Sequence, residues 1–181
     1  MKKVNTITLT SIAIMSAVLC VLGPMSISLP FSPVPISFAT IGIFLSLYVL
    51  GAKFGSLSVI IYLILGVIGL PVFSTFSGGI GKVAGPTGGY LIGYVFLAVI
   101  SGIFIDKFKN NKLLQFIGMI SGTLFCYLIG TIWLSFQADI NFVSALTIGV
   151  FPYIVFDLTK IVFSILFGNK IRDIINNKLK A

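Results

Sequence analysis

Two opposite charges three residues apart, inside an otherwise apolar run, are the part of this sequence best equipped for chemistry. The run is Pro152-Tyr153-Ile154-Val155-Phe156-Asp157-Leu158-Thr159-Lys160. On a helix, residues three apart share a face, so Asp157 and Lys160 meet. Each such charge costs about 2.5–3.5 kcal/mol at the centre of a membrane helix. Two readings follow. One is a self-neutralising ion pair that fixes helix packing or register. The other is a polar ligand site facing the interior of a bundle, with Asp157 accepting N–H bonds and Lys160 meeting an oxygen or a carboxylate.

The second candidate is the stretch from Pro71 to Gly89, PVFSTFSGGIGKVAGPTGG, which carries six glycines and two prolines around Phe73 and Phe76. Glycines let backbone approach a ligand closely, and aromatic rings can wall an apolar ring; a loop shaped only by its turns is the plainer account. It is no phosphate-binding loop of the Walker type. Gly81-Lys82 is followed by Val83, and Phe76 stands where the first glycine belongs. No dinucleotide fingerprint is present either. A third feature is a stripe of small residues, Ala13, Ser16, Ala17 and Cys20, at a spacing that lets helices approach closely. It suits packing within a bundle or docking of another protein.

The rest of the composition says what must position these groups. Of 181 residues, 57% are apolar and 9% charged, against roughly 25% charged in a soluble domain. Too little polar material exists to coat a water-facing surface, so the chain reads as a single membrane domain over residues 1–181. With no His, no Glu and only four acidic residues, catalytic metal sites, His-based triads and paired-Glu chemistry are disfavoured. No metal or cofactor is expected. Cys20 and Cys126 lie in apolar runs and read as small packing residues.

Six apolar stretches are read as membrane helices, at residues 7–22, 36–50, 54–70, 90–105, 113–136 and 142–167. Six crossings put both termini on one side. With the N-terminus inside, the inner segments hold Lys2, Lys3, Lys53, Lys107, Lys109, Lys112, Lys170, Arg172, Lys178 and Lys180, while the outer loops hold only Lys82. That asymmetry predicts cytoplasmic termini in a multi-pass protein of a bacterial-type plasma membrane, and it accounts for the net charge of +8 without nucleic acid. The basic stretch from Lys170 to Lys180 is expected at the anionic inner leaflet, and Trp133 at the outer interface. Lys2-Lys3 before an apolar run also fits a signal peptide, but no small-x-small cleavage site stands out after it, and the segment is read as a span.

Taken in order, these residues resemble the BioY family, the biotin-binding S components of energy-coupling factor (ECF) vitamin transporters. The resemblance is carried by Gly69-Leu70-Pro71-Val72-Phe73, Ser77-Gly78-Gly79, Gly85-Pro86-Thr87-Gly88-Gly89-Tyr90, the Pro33-Val34-Pro35-Ile36 entry to the second span, the Pro152, Asp157, Lys160 pattern, and Ala13 with Ala17. It implies an all-α S-component bundle of six helices that is not an enzyme. It also implies capture of biotin from outside, a membrane scaffold subunit docked on Ala13 and Ala17, and two cytoplasmic ATPases, which would explain why no ATP site is present. Ligand contacts are then expected from Asp157, Lys160, Phe73, Phe76, Gly85, Thr87, Tyr90, Thr40 and Lys82. The ureido ring suits Asp157 and nearby donors, the sulfur ring suits Phe73, Phe76 and Tyr90, and the carboxylate suits Lys160 or Lys82. Which end of biotin meets which charge stays open.

One departure stands out. Ala39 occupies a position where the family often carries Gln. A lost ligand contact would cost about 0.5–1.5 kcal/mol, unless Thr40 substitutes or the ligand is a relative of biotin. Three other readings are carried: an S component for another vitamin, prompted by Ala39; a membrane enzyme acting on lipid head groups, prompted by the Asp157 and Lys160 pair; and a membrane adaptor that binds no vitamin, prompted by the small-residue stripe.

Overall fold

The computed structural model describes residues 5–178, so Lys2, Lys3 and Lys180 of the cation count lie outside the described residues. A bilayer leaves backbone polar groups no water to bond, and the chain answers with helices. They are α1 (Thr6–Leu22), α2 (Ala39–Ile68), α3 (Ile80–Ala84), α4 (Gly88–Lys107), α5 (Lys112–Ala138), α6 (Phe142–Gly149) and α7 (Ile154–Lys178). Between α1 and α2 a short ribbon pairs β1 (Ser26–Ile27) antiparallel to β2 (Ile36–Ser37), with Ser26 opposite Ser37.

The second and third expected spans are the two arms of α2. They are separated at Gly51, whose φ of 76° and ψ of 177° suit a residue without Cβ. Ser46 Oγ reaches the Gly55 carbonyl at 3.5 Å, although nine residues of straight helix span about 13.5 Å. The arms therefore fold back on each other and cross the membrane as two segments. The first, residues 39–50, covers only about 18 Å of the roughly 30 Å of hydrocarbon. The non-helical stretch 33–37 that leads into it thus lies at membrane depth, where non-helical backbone persists only when it is buried in protein or lines a cavity.

The sixth span, expected to be continuous, is broken. After α6 the chain makes a 3-10 turn at Phe151–Tyr153 before α7 begins. Pro152 has no N–H to continue the α-helical ladder, and its ring disfavours helical backbone at the residue before it. Beyond residue 167, α7 carries on to Lys178, so the basic stretch starts as helix.

Lipid tails are as apolar as leucine, so the helices are held by close packing rather than by burial of oil from water. Gly93 and Gly122 let α4 and α5 approach until an added Cβ would stand 3.0 Å from Cys126 Cα and 2.9 Å from the Leu97 carbonyl oxygen. α1 is fastened to the second arm of α2 by paired serines. Ser16 Oγ donates to the Ser58 carbonyl (3.1 Å), and Ser58 Oγ donates to the Ile12 carbonyl (3.3 Å). With Ser16 turned inward, Ala13 and Ala17 are left on the outer surface of α1.

Candidate functional site

The two interruptions at membrane depth, residues 33–37 and 150–153, face each other across a cavity. Ser32 Oγ donates to the Ile148 carbonyl (2.7 Å), and the Tyr153 hydroxyl contacts both Ser32 Oγ (2.7 Å) and the Val34 carbonyl. Pro33 and Pro35 keep the incoming strand extended. Ser37 ends it, its hydroxyl donating to the Gly23 carbonyl (3.1 Å) and accepting from the Ala39 N–H (3.1 Å). α4 closes the cavity with Tyr90, Tyr94 and Leu97, and α5 closes it with Thr123, Cys126 and Tyr127. Counted to its open mouth, the cavity has a volume of about 450 Å³.

Asp157 and Lys160, on the first turns of α7, both line this cavity. Lys160 Nζ lies 2.8 Å from Asp157 Oδ1, and donates also to the Ser37 carbonyl at 2.8 Å. The Tyr127 hydroxyl donates to Asp157 Oδ2. Both side chains are largely shielded, at 10% exposure for Lys160 and 14% for Asp157. A carboxylate offers about four lone-pair positions and an ammonium three N–H groups. Acceptor capacity on Asp157 and one donor on Lys160 therefore remain for a ligand. Thr40 adds a third group. Its Oγ1 is buried at the cavity wall with no hydrogen-bond partner, a state that costs about 1–3 kcal/mol unless something fills it.

The other expected contacts are distributed differently. Tyr90 lines the cavity while its hydroxyl donates to the Gly149 carbonyl at 3.0 Å, bracing α4 against the break in the last span. Thr87, 7% exposed, starts α4 and stays behind the wall; the Gly85 carbonyl accepts from Trp133 Nε1 at 2.9 Å. Trp133 thereby ties the glycine-rich loop to α5. Phe73 is wholly buried edge-on to Tyr62 (ring centroids 5.7 Å apart) and over Gly66, away from the cavity. Phe76 is 71% exposed. The reason is a tight turn at Phe73–Ser77, closed by paired backbone bonds, that sends the two rings to opposite sides. Lys82 lines a separate outer cavity with Ser28, Ser32, Pro33, Pro35 and Thr75, and Pro35 is common to both cavities. Partial burial lowers the Lys82 pKa from its usual value. Ala39 is 1% exposed and does not line the cavity, whereas Thr40 does.

The BioY family profile matches residues 1–177. The chain belongs to the BioY family. Among its BioY relatives, the biotin transporter BioY of Thermotoga maritima is 38% identical over 147 residues, 81% of this chain and 85% of that one. The biotin transporter BioY2 of Lactococcus lactis is 32% identical over 168 residues, 93% and 91% of the two chains. A solved structure described as the S-component for biotin from an ECF-type ABC transporter superposes with a TM-score of 0.86 at 32% identity, covering 96% of this chain and 94% of the other. The protein is thus a multi-pass membrane protein with an S-component fold, and BioY membership places it among transporters rather than lipid-modifying enzymes.

Tyr94, Thr123, Tyr127 and Tyr153 line the cavity without being among the residues expected there, and Cys126, expected only as a packing residue, lines it too. A signal was available. Tyr90 and Tyr94 stand four apart, and Thr123 and Tyr127 likewise, so polar groups recur on one face of each apolar helix.

Proposed function

We propose that this chain captures biotin from outside a bacterial plasma membrane, as the substrate-binding subunit of an ECF-type ATP-driven importer. The observation that carries the reading is the cluster of Asp157, Lys160 and the unpartnered Thr40 hydroxyl in one shielded cavity. A cyclic urea presents two N–H donors and one carbonyl. Asp157 has acceptor capacity left for the N–H groups, while Lys160 and Thr40 hold donors for the carbonyl. Tyr90, Leu97 and Val34 supply apolar wall for the sulfur ring. The carboxylate tail would then point past Pro35 toward Lys82, the cation of the adjoining outer cavity. Thr40, rather than residue 39, makes the second-span contact in this reading, so the alanine at 39 need not change the vitamin.

The test is calorimetry of biotin binding to the purified, detergent-solubilised protein, with a panel of other vitamins as competitors. One tightly bound biotin, undisplaced by the panel, is expected. A folded protein that binds no biotin would sink the reading. Thr40→Val is expected to weaken binding by about 0.5–1.5 kcal/mol, roughly two- to twelvefold.

The partners follow the same reading. A membrane scaffold subunit, serving two cytoplasmic ATPases, would dock on the face of α1 that shows Ala13 and Ala17. Ala13→Trp and Ala17→Trp are expected to abolish energised uptake in cells while leaving biotin affinity unchanged, because both side chains point away from the cavity. Intact uptake by a folded Trp variant would refute the docking face.

A further inference from the structure

At the end of the bundle opposite the biotin cavity, the break at Gly51, the last turn of α4 and the C-terminal part of α7 line a second, more open cavity, of about 780 Å³ counted to the mouth. One side of it is charged. Asp106 Oδ2 accepts from the Ala52 N–H (2.6 Å), and Asp106 Oδ1 accepts from Arg172 Nη2 (2.6 Å). Arg172 also donates through Nη1 to the Ile105 carbonyl (3.2 Å) and is only 15% exposed. Its guanidinium is thus fixed in place with N–H groups to spare. Lys109 completes the charged side and makes no ion pair among the described residues. Since Asp106 is consumed by Arg172 and the Ala52 N–H, the lining carries one uncompensated positive charge. Beside these groups the lining also has an apolar part: Val49, Leu50 and Ile175.

We propose that this cavity binds the phosphate headgroup of an anionic phospholipid of the inner leaflet. Fixed guanidinium and free ammonium groups suit a phosphate oxygen cluster. The apolar side suits the glycerol and the first methylenes of the acyl chains, which a free phosphate ion lacks. The position agrees, because the cavity lies where α4 ends, on the side to which the charge asymmetry assigns Lys53, Lys107, Lys112 and Lys170, the side of the anionic headgroups. A lipid held here would bridge the three helices, α2, α4 and α7, that carry Thr40, Tyr90 and Asp157 at their other ends.

Native mass spectrometry of delipidated, full-length protein tests this, titrating phosphatidylglycerol, phosphatidylcholine or inorganic phosphate. One phosphatidylglycerol is expected to be retained in preference to phosphatidylcholine, about fivefold more weakly in Lys109→Gln and at wild-type strength in Lys107→Gln. Biotin affinity of Lys109→Gln should be unchanged, which keeps this test separate from that of the biotin site. Equal retention of the two lipids, equal weakening by Lys107→Gln, or displacement of phosphatidylglycerol by inorganic phosphate would each overturn the proposal.

Discussion

Asp157→Asn is expected to weaken biotin binding at least about tenfold, and the physical reasons can be separated by a second substitution. Hydrogen bonds to a charged acceptor contribute about 1.5–3 kcal/mol each, and an amide retains the shape of the carboxylate but not the charge. The exchange also leaves the Lys160 ammonium, on a side chain only 10% exposed, with neutral acceptors alone: the amide oxygen at 157 and the Ser37 carbonyl. Breaking a shielded ion pair from one side costs more than removing both charges. The double variant Asp157→Asn with Lys160→Met should therefore recover thermal stability lost in the single variant, while biotin binding measured by calorimetry stays lost. If binding returned together with stability, the pair would be a packing device and the ligand would sit elsewhere.

That distinction marks how far the sequence could be read. Asp157 and Lys160 were legible because charge in an apolar span is rare and three-residue spacing fixes a shared face. The helices were legible from hydropathy, with α1 at Thr6–Leu22 and α5 at Lys112–Ala138 close to their expected bounds. The breaks were less so. Gly51 was visible as punctuation, but only the contact from Ser46 to Gly55 shows that α2 doubles back. Pro152 stands in the motif of the last span, yet hydropathy runs through it without a gap. Phe73 and Phe76 mislead for a related reason: composition makes both candidates for an aromatic wall, while the turn between them, with Thr75 and Phe76 at positive φ, sends one into the core and one into the open. Tyr127 and Tyr153 needed the register between helices, which depends on tertiary packing rather than on local pattern.

The glycine-rich stretch offers the sharpest separation between glycines that the fold requires and glycines that it tolerates. Gly88 opens α4 directly against the α3 turn, and a Cβ there would overlap the Val83 carbonyl oxygen and press on the Val83 backbone. Backbone cannot move aside as a side-chain tip can, so Gly88→Ala must shift α3 or the start of α4. Overpacking of this kind costs about 1–3 kcal/mol, a fall of roughly 2–12 °C in Tm for a chain of this size. Tyr90 lies two residues on and lines the cavity, so biotin affinity should fall with stability. Gly81 sits in the same motif with nothing within 4 Å of an added Cβ. Gly81→Ala, inside the short helix α3, should leave both Tm and affinity unchanged or raise Tm slightly, because alanine has less unfolded-chain entropy to lose. Thermal unfolding and calorimetry on the two variants side by side decide the matter. If Gly81→Ala proved as damaging as Gly88→Ala, backbone approach of the whole loop to the ligand would replace packing against Val83 as the reason for the glycines.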